Sequence, residues 1–150
     1  MSNADREMLA DYMSRALARV IDALDAMDEL PQIAGRMADR DDWDGLSEGV
    51  QDLLTDLGVE PDDEFGEWDH DAAMDRVRED LDPLSITWEK DEPFDVALSL
   101  GGPNIYLVDF GGHGGAQLRG YWGETHVMTG ADVTRALEHY REEMRDIFGD

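Results

Sequence analysis

The chain has 150 residues and a formal net charge of −25, with 37 acidic residues against 12 lysines and arginines. This charge disfavours direct binding to nucleic acid or to an anionic membrane surface, because both need cations on the protein. The chain contains no cysteine, which excludes disulfides and thiolate metal sites, and it shows neither a secretory signal nor a long apolar run, so we expect a cytoplasmic protein.

Helical periodicity dominates the first part of the chain. A first helix is predicted from a cap at Ser2 or Asn3 to Pro31, since apolar residues from Leu9 to Met27 recur at steps of three and four. Further helices are predicted over Gln32–Arg40, from Asp44 or Ser47 to Gly58, and from about Asp69 to Leu81. Residues 1–82 are therefore predicted to form an acidic helical region.

The period changes from helix to strand after residue 82. Apolar and polar residues alternate in three or four short segments, which the sequence places at 84–88, 94–100, 105–110 and 116–122. The short segment 126–128 is compatible with one more strand, and Thr129 and Asp132 predict the capping box of a last helix. The predicted fold class is α+β, in which N-terminal helices pack with a three- to four-stranded antiparallel meander and a C-terminal helix. Residues 83–150 form its sheet and last helix, and we expect the two regions to make one compact domain overall.

The negative charge is concentrated in the middle of the chain. Residues 41–92 carry 20 acidic and three basic residues, a net charge of −17, whereas residues 1–19 are neutral and residues 101–150 sum to −4. Crowded like charges repel one another and lower folding stability, so we expect the field of this segment to have a use. The alternative is a salt-adapted (halophilic) accessory domain, in which acids would coat the whole surface.

No catalytic or metal-binding motif stands out in the sequence. The four histidines match neither the H-x-x-x-H nor the HExxH spacing of zinc sites, and both calcium-loop registers fail because Arg40 or Pro61 would occupy the first ligand position. The glycine-rich run 111–115 lacks the helix and the cation of a phosphate-binding loop and predicts a hairpin connection. We therefore predict no catalytic residue, no metal site and no cofactor. A divalent-metal-dependent enzyme built from the many carboxylates is the other alternative.

Three aromatic residues interrupt the acidic run: Trp43, Phe65 and Trp68. Aromatic side chains within a charged surface often anchor a partner, although they also commonly anchor a loop or helix to the core. The predicted partner-binding surface combines the two tryptophans with nine acidic residues, namely Trp43, Trp68, Asp41, Asp42, Asp44, Asp62, Asp63, Glu64, Glu67, Asp69 and Asp71.

Such a surface predicts a mimic of nucleic acid. Duplex DNA carries one negative charge per about 1.7 Å of its axis, so 17 charges correspond to about 29 Å, or about nine base pairs. The expected partner is a basic protein, such as a host defence nuclease or another nucleic-acid-binding protein. The expected function is non-enzymatic inhibition of that partner.

Two motifs in the C-terminal half carry a family resemblance. Residues 96–107 read Val-Ala-Leu-Ser-Leu-Gly-Gly-Pro-Asn-Ile-Tyr-Leu, and residues 118–123 read Leu-Arg-Gly-Tyr-Trp-Gly. Together they resemble a family of small acidic proteins of unknown function that are encoded by bacterial and archaeal plasmids and phages. The resemblance covers roughly the last 60 residues and implies a small sheet, a C-terminal helix and a mobile-element origin, without an activity. The chain departs from the family pattern by its 111–115 loop and its acidic N-terminal half.

Overall fold

The computed structural model describes residues 3–33, 37–82, 85–87, 94–100, 103–109 and 115–148. The chain divides into two compact units. The acidic unit is Arg19–Asp82, and the sheet unit is Met1–Ala18 together with Pro83–Asp150. Helix α1 (Asn3–Glu29) contributes its first part to the sheet unit and its second part to the acidic unit. Residues 1–18 therefore belong with the sheet, not with the acidic helical region to which the sequence assigned them.

Short helices and one two-stranded ribbon make up the rest of the acidic unit. After α1, the elements are a 3-10 turn (Leu30–Gln32), β1 (Met37–Ala38), α2 (Arg40–Asp44), α3 (Glu48–Asp56), β2 (Trp68–Asp69) and α4 (His70–Leu81). Strands β1 and β2 pair antiparallel, with Ala38 opposite Trp68. The apolar stripes of the helices form the core, where Leu24, Leu30, Val50, Leu54 and Val77 are among the buried residues.

The helix predicted over Gln32–Arg40 is wrong in the part of that segment that the structure describes. Ile33 ends the 3-10 turn in an extended conformation, and Met37–Ala38 form a strand. Asp39 then starts a new helix, because its side chain accepts a hydrogen bond from the backbone N–H of Asp42 while the Asp42 side chain accepts one from the backbone N–H of Asp39. A capping box needs extended backbone at its first residue, so no helix can continue through Asp39.

The other two helix predictions in this unit are confirmed. Helix α3 begins directly after Ser47, and the chain turns beyond its end at Gly58, where φ is +87°. Helix α4 begins after Asp69, whose carboxylate accepts a hydrogen bond from the backbone N–H of Ala72. The end of α3 at Gly58 and the start of α4 at Asp69 follow from local backbone and capping preferences that can be recognised in the sequence.

The sheet unit contains a five-stranded antiparallel meander and a C-terminal helix. Its elements are β3 (Ser85–Thr87), β4 (Phe94–Ser99), β5 (Asn104–Asp109), β6 (Ala116–Trp122), β7 (Glu124–Met128) and α5 (Ala131–Phe148), and the strands lie in chain order across the sheet. The α+β fold class is confirmed, with one strand more than the three or four expected, because residues 124–128 pair with β6. The glycine-rich run 111–114 lies outside the described residues.

Two helices cover the same face of the sheet. The first part of α1 lies over Gly120, where an added Cβ would come within 2.5 Å of the sulfur of Met13 and 3.0 Å of Leu9. Helix α5 buries Val133 and Tyr140, and the Arg141 guanidinium forms an ion pair with Asp109 at the end of β5. None of the helices in the described ranges is long and apolar enough to cross a membrane.

Candidate partner-binding surface

The acidic unit holds most of the charge of the chain on its surface. It contains 22 acidic residues and five arginines, a net charge of −17, whereas the sheet unit sums to −8. All 22 carboxylates lie in described segments, and 17 are exposed, five are half-buried and none is buried. Every acidic side chain of this unit can therefore contribute to an external field.

The arginines of this unit neutralise few of its carboxylates. Arg40 Nη2 donates to the backbone carbonyl of Asp62 at 3.3 Å, and Arg76 Nη1 donates to the carbonyl of Leu57 at 2.9 Å. Among the arginines of this unit that the structure describes, Arg19 forms ion pairs with Asp56 and Asp80, and Arg78 forms a longer one with Asp75 at 3.5 Å. Two guanidinium groups thus stabilise loop backbone, and the surrounding acids keep their negative potential.

The segment Asp62–Glu67, which we call the Phe65 loop, is a tightly hydrogen-bonded turn. Asp62 Oδ1 accepts from the backbone N–H groups of Phe65 at 2.5 Å and Gly66 at 3.1 Å, and the Asp62 N–H donates to the Glu67 carbonyl at 2.9 Å. Gly66 adopts φ +70°, which favours glycine, and an added Cβ there would approach the Arg40 side chain to 3.0 Å. The hydrogen bond from the Phe65 N–H is the largest cause that lowers the pKa of the Asp62 carboxyl below its ordinary value.

The Phe65 loop presents an aromatic ring to solvent. The side chain of Phe65 is 72% exposed, the largest fraction among the exposed large apolar residues of the described chain. Its neighbours Asp63, Glu64 and Glu67 are also exposed. An apolar ring at the tip of an ordered acidic turn can enter a pocket between cationic side chains, because carboxylates surround it on the same loop.

The two tryptophans predicted as partner anchors are core residues instead, which corrects that part of the predicted surface. Trp68 is 2% exposed and Trp43 is 9% exposed, and their rings pack edge to face with centroids 5.4 Å apart. The indole N–H of Trp68 donates to the Asp39 carbonyl at 2.8 Å. Trp43 belongs to α2 and Trp68 to β2, so their burial follows from a contact between two separated segments that the sequence does not show.

The predicted acidic residues come from two chain segments that lie against each other. The Trp43–Trp68 contact and the Arg40–Asp62 hydrogen bond bring α2 beside the segment that runs from the Phe65 loop into α4. Asp42 and Asp69 serve as helix-capping residues, and Asp62 shapes its loop. Asp42 is half-buried, and the other eight acidic residues of the predicted surface are exposed, namely Asp41, Asp44, Asp62, Asp63, Glu64, Glu67, Asp69 and Asp71.

A second carboxylate group shows how crowded the acidic unit is. Asp22 lies against the backbone of α3, since a Cβ added at Gly49 would collide with its carboxylate. Burial raises the pKa of Asp22 above its ordinary value, and the charges of Asp25 and Asp52 raise it further. The sequence gives no sign of this contact, because the three residues belong to two different helices.

Among the residues that the structure describes, no three histidine or acidic side chains converge to hold a metal ion. No family model, curated protein or solved structure matches the chain.

Proposed function

We propose that the protein is a non-enzymatic inhibitor that mimics nucleic acid and occupies the nucleic-acid-binding surface of a basic protein. The observation that carries the proposal is the acidic unit, whose net charge of −17 comes from carboxylates that are all exposed or half-buried. A basic groove that binds phosphates would attract this field at long range and associate with it rapidly.

The carboxylates of this surface are held in an ordered structure, which supports mimicry of nucleic acid rather than attraction by a flexible acidic tail. Asp42, Asp62 and Asp69 are held by hydrogen bonds to backbone N–H groups, so the carboxylates of α2 and of the Phe65 loop occupy defined positions. Preorganised charges lose less conformational entropy on binding than charges on a disordered chain. In this proposal Phe65 replaces the tryptophans as the aromatic anchor.

The resemblance of the GGPN and YWG motifs to plasmid- and phage-encoded proteins adds a context to the proposal. A mobile element would use such an inhibitor in the host cytoplasm against a defence nuclease or another nucleic-acid-binding protein. The family itself suggests no activity, so the proposed function depends on the charge and order of the acidic unit.

The test is capture of a basic partner followed by competition with DNA. The immobilised protein is exposed to bacterial lysate at low salt, and bound proteins are eluted with an excess of duplex DNA. We expect a basic nucleic-acid-binding protein that DNA releases, and that salt also releases, because its contacts are charge pairs. Absence of any such protein, or a bound protein that DNA fails to displace, contradicts the proposal.

Two variants that each remove four negative charges distinguish binding through this surface from binding through net charge alone. One carries Asp41→Asn, Asp44→Asn, Asp63→Asn and Glu64→Gln on the proposed surface, and the other carries Asp132→Asn, Glu138→Gln, Glu142→Gln and Glu143→Gln on exposed positions of α5. Only the first should lose the partner. Equal loss in both variants would show non-specific charge attraction.

The Phe65→Ser variant tests the anchor. Loss of the ring should speed dissociation of the captured partner and leave the salt dependence of association unchanged, because the long-range field is intact. Binding kinetics measured by surface plasmon resonance with the purified partner distinguish the two effects.

A further inference from the structure

Exposed apolar side chains gather at one edge of the sheet unit. Eight large apolar side chains are exposed in the described part of the chain, and four of them lie in or against strands β6 and β7, namely Tyr12, Tyr121, Trp122 and Val127. The rings of Tyr12 and Trp122 contact each other with centroids 5.8 Å apart on the face that carries α1. Tyr121 and Val127 share the opposite face by strand register. Both faces are thus apolar at this one edge.

Strand β7 lies at the edge of the described sheet. Strand β7 (Glu124–Met128) is terminal among the described strands, with β6 on one side. Proteins usually protect edge strands with lysine, proline or a bulge. The sequence Glu-Thr-His-Val-Met contains neither lysine nor proline, and its pairing with β6 runs without a break in register.

The edge is nearly neutral in a strongly negative chain. Residues 1–18 have three acidic and two basic residues, and residues 116–130 contain only Arg119 and Glu124 as charged groups. Two copies with a charge of −25 each repel one another over most of their surfaces. A nearly neutral apolar edge is where that repulsion is weakest, which favours a second copy as its occupant over a strongly charged partner.

We propose that two copies of this chain associate through β7, forming a continuous antiparallel sheet across a two-fold axis. A two-fold axis at His126 places His126 opposite His126 of the second copy and Thr125 opposite Val127 of the second copy. Glu124 then faces Met128 of the second copy, so no like charges oppose each other in the ladder. The exposed rings of Tyr121 and Trp122 extend the contact on the two faces of the sheet.

Analytical ultracentrifugation of the full chain tests the association. We expect a monomer–dimer equilibrium that shifts toward dimer as salt rises, because salt screens the repulsion between two negative chains. Val127→Lys should abolish the dimer, since a charge on an edge strand opposes strand pairing. Met37→Lys is the matched control, because Met37 is an exposed apolar residue of β1 in the acidic unit. A wild-type monomer at every salt concentration, or a dimer that Val127→Lys leaves intact, overturns the proposal.

Single cysteines test the register, and the natural chain has no cysteine to interfere. Opposite residues of an antiparallel pair have Cα atoms about 5 Å apart, within the range that a disulfide spans. His126→Cys should therefore give a covalent dimer when oxidised glutathione is added. Thr125→Cys should not, because its copy lies about 7 Å further along the strand. Circular dichroism checks that each variant is folded. Equal cross-linking of both variants, or none with His126→Cys, contradicts this register.

Discussion

The crowding of the acidic unit disfavours the ionised form of the Asp22 carboxylate. Its side chain packs against Gly49 of α3 and lies near the charges of Asp25 and Asp52. Burial and like charges both disfavour its ionised form. At Asp62 the balance is reversed, because backbone N–H groups donate to the carboxylate and stabilise its charge. An ionised aspartate is thus disfavoured in the contact of Asp22 with α3 and favoured in the hydrogen-bonded turn at Asp62.

Asp22→Asn should stabilise the protein at neutral pH. The raised pKa means that the folded state binds the proton more tightly than the unfolded state, so stability rises as pH falls from 7 toward that pKa. The amide removes the penalty, and the gain over wild type should be a fraction of a kcal/mol, because solvent screens a half-exposed group.

Urea unfolding at several pH values checks this prediction. The difference between variant and wild type should shrink as pH falls through the raised pKa. Asp63→Asn is the control, since it removes the same charge from an exposed loop position. An equal gain for both variants would assign the effect to net charge, not to the contact of Asp22.

Three helices of the acidic unit are joined by one guanidinium group. Arg19 in α1 donates to both carboxylate oxygens of Asp80 in α4 and, at 2.6 Å, to Asp56 at the end of α3. The hydrogen bonds to Asp80 are the largest cause that raises the pKa of Arg19, followed by that to Asp56. The helical stripes make each helix amphipathic, and this network helps to set which helix packs beside which.

Arg19→Met should lower the free energy of unfolding by about 1 kcal/mol, an amount limited by solvent screening of a partly exposed network. Arg19→Lys keeps the charge but cannot make the two-pronged contact with Asp80, so it should recover only part of the loss. Arg15→Met is the control, because the ion pair of Arg15 with Asp11 lies within α1. Chemical denaturation measures all three, and an Arg19→Met variant as stable as wild type would contradict the structural role of the network.

For the molecule as a whole, the segregation of charge sets how salt acts on stability. The acidic unit carries −17 and the sheet unit −8, so repulsion is strongest within Arg19–Asp82. Salt shortens the reach of that repulsion to about 10 Å at 0.1 M and about 3 Å at 1 M. A nucleic-acid mimic must nevertheless stay folded at low salt, where its field is strongest.

The melting temperature should therefore rise with sodium chloride and level off, while the protein remains folded at low ionic strength. Thermal unfolding followed by circular dichroism gives the measurement, and the fourfold surface variant should show a smaller rise because it carries fewer charges. Sucrose, which does not screen charge, serves as the control for general solute effects. Unfolding below about 1 M salt would favour the salt-adapted alternative.

Local chemistry made much of the fold predictable. Asp69 and Gly58 mark helix boundaries through capping and backbone preference, and the alternation of apolar residues placed β4, β5 and β6. The helix predicted across Asp39 failed because a capping box depends on a reciprocal contact that apolar spacing does not reveal. The sequence also did not predict that the first 18 residues group with the sheet, because the apolar stripe of a helix does not show which surface the helix covers.

The sequence by itself determined the charge of this protein, its segregation, the α+β class and most element positions, because these depend on composition and on neighbours within a few residues. The tertiary structure alone decided which aromatic residues face solvent. Trp43 and Trp68 entered the core by packing across α2 and β2, whereas the Asp62 hydrogen bonds left Phe65 at the tip of an acidic loop. Burial depends on contacts between residues distant in the chain, and no local pattern specifies those contacts fully.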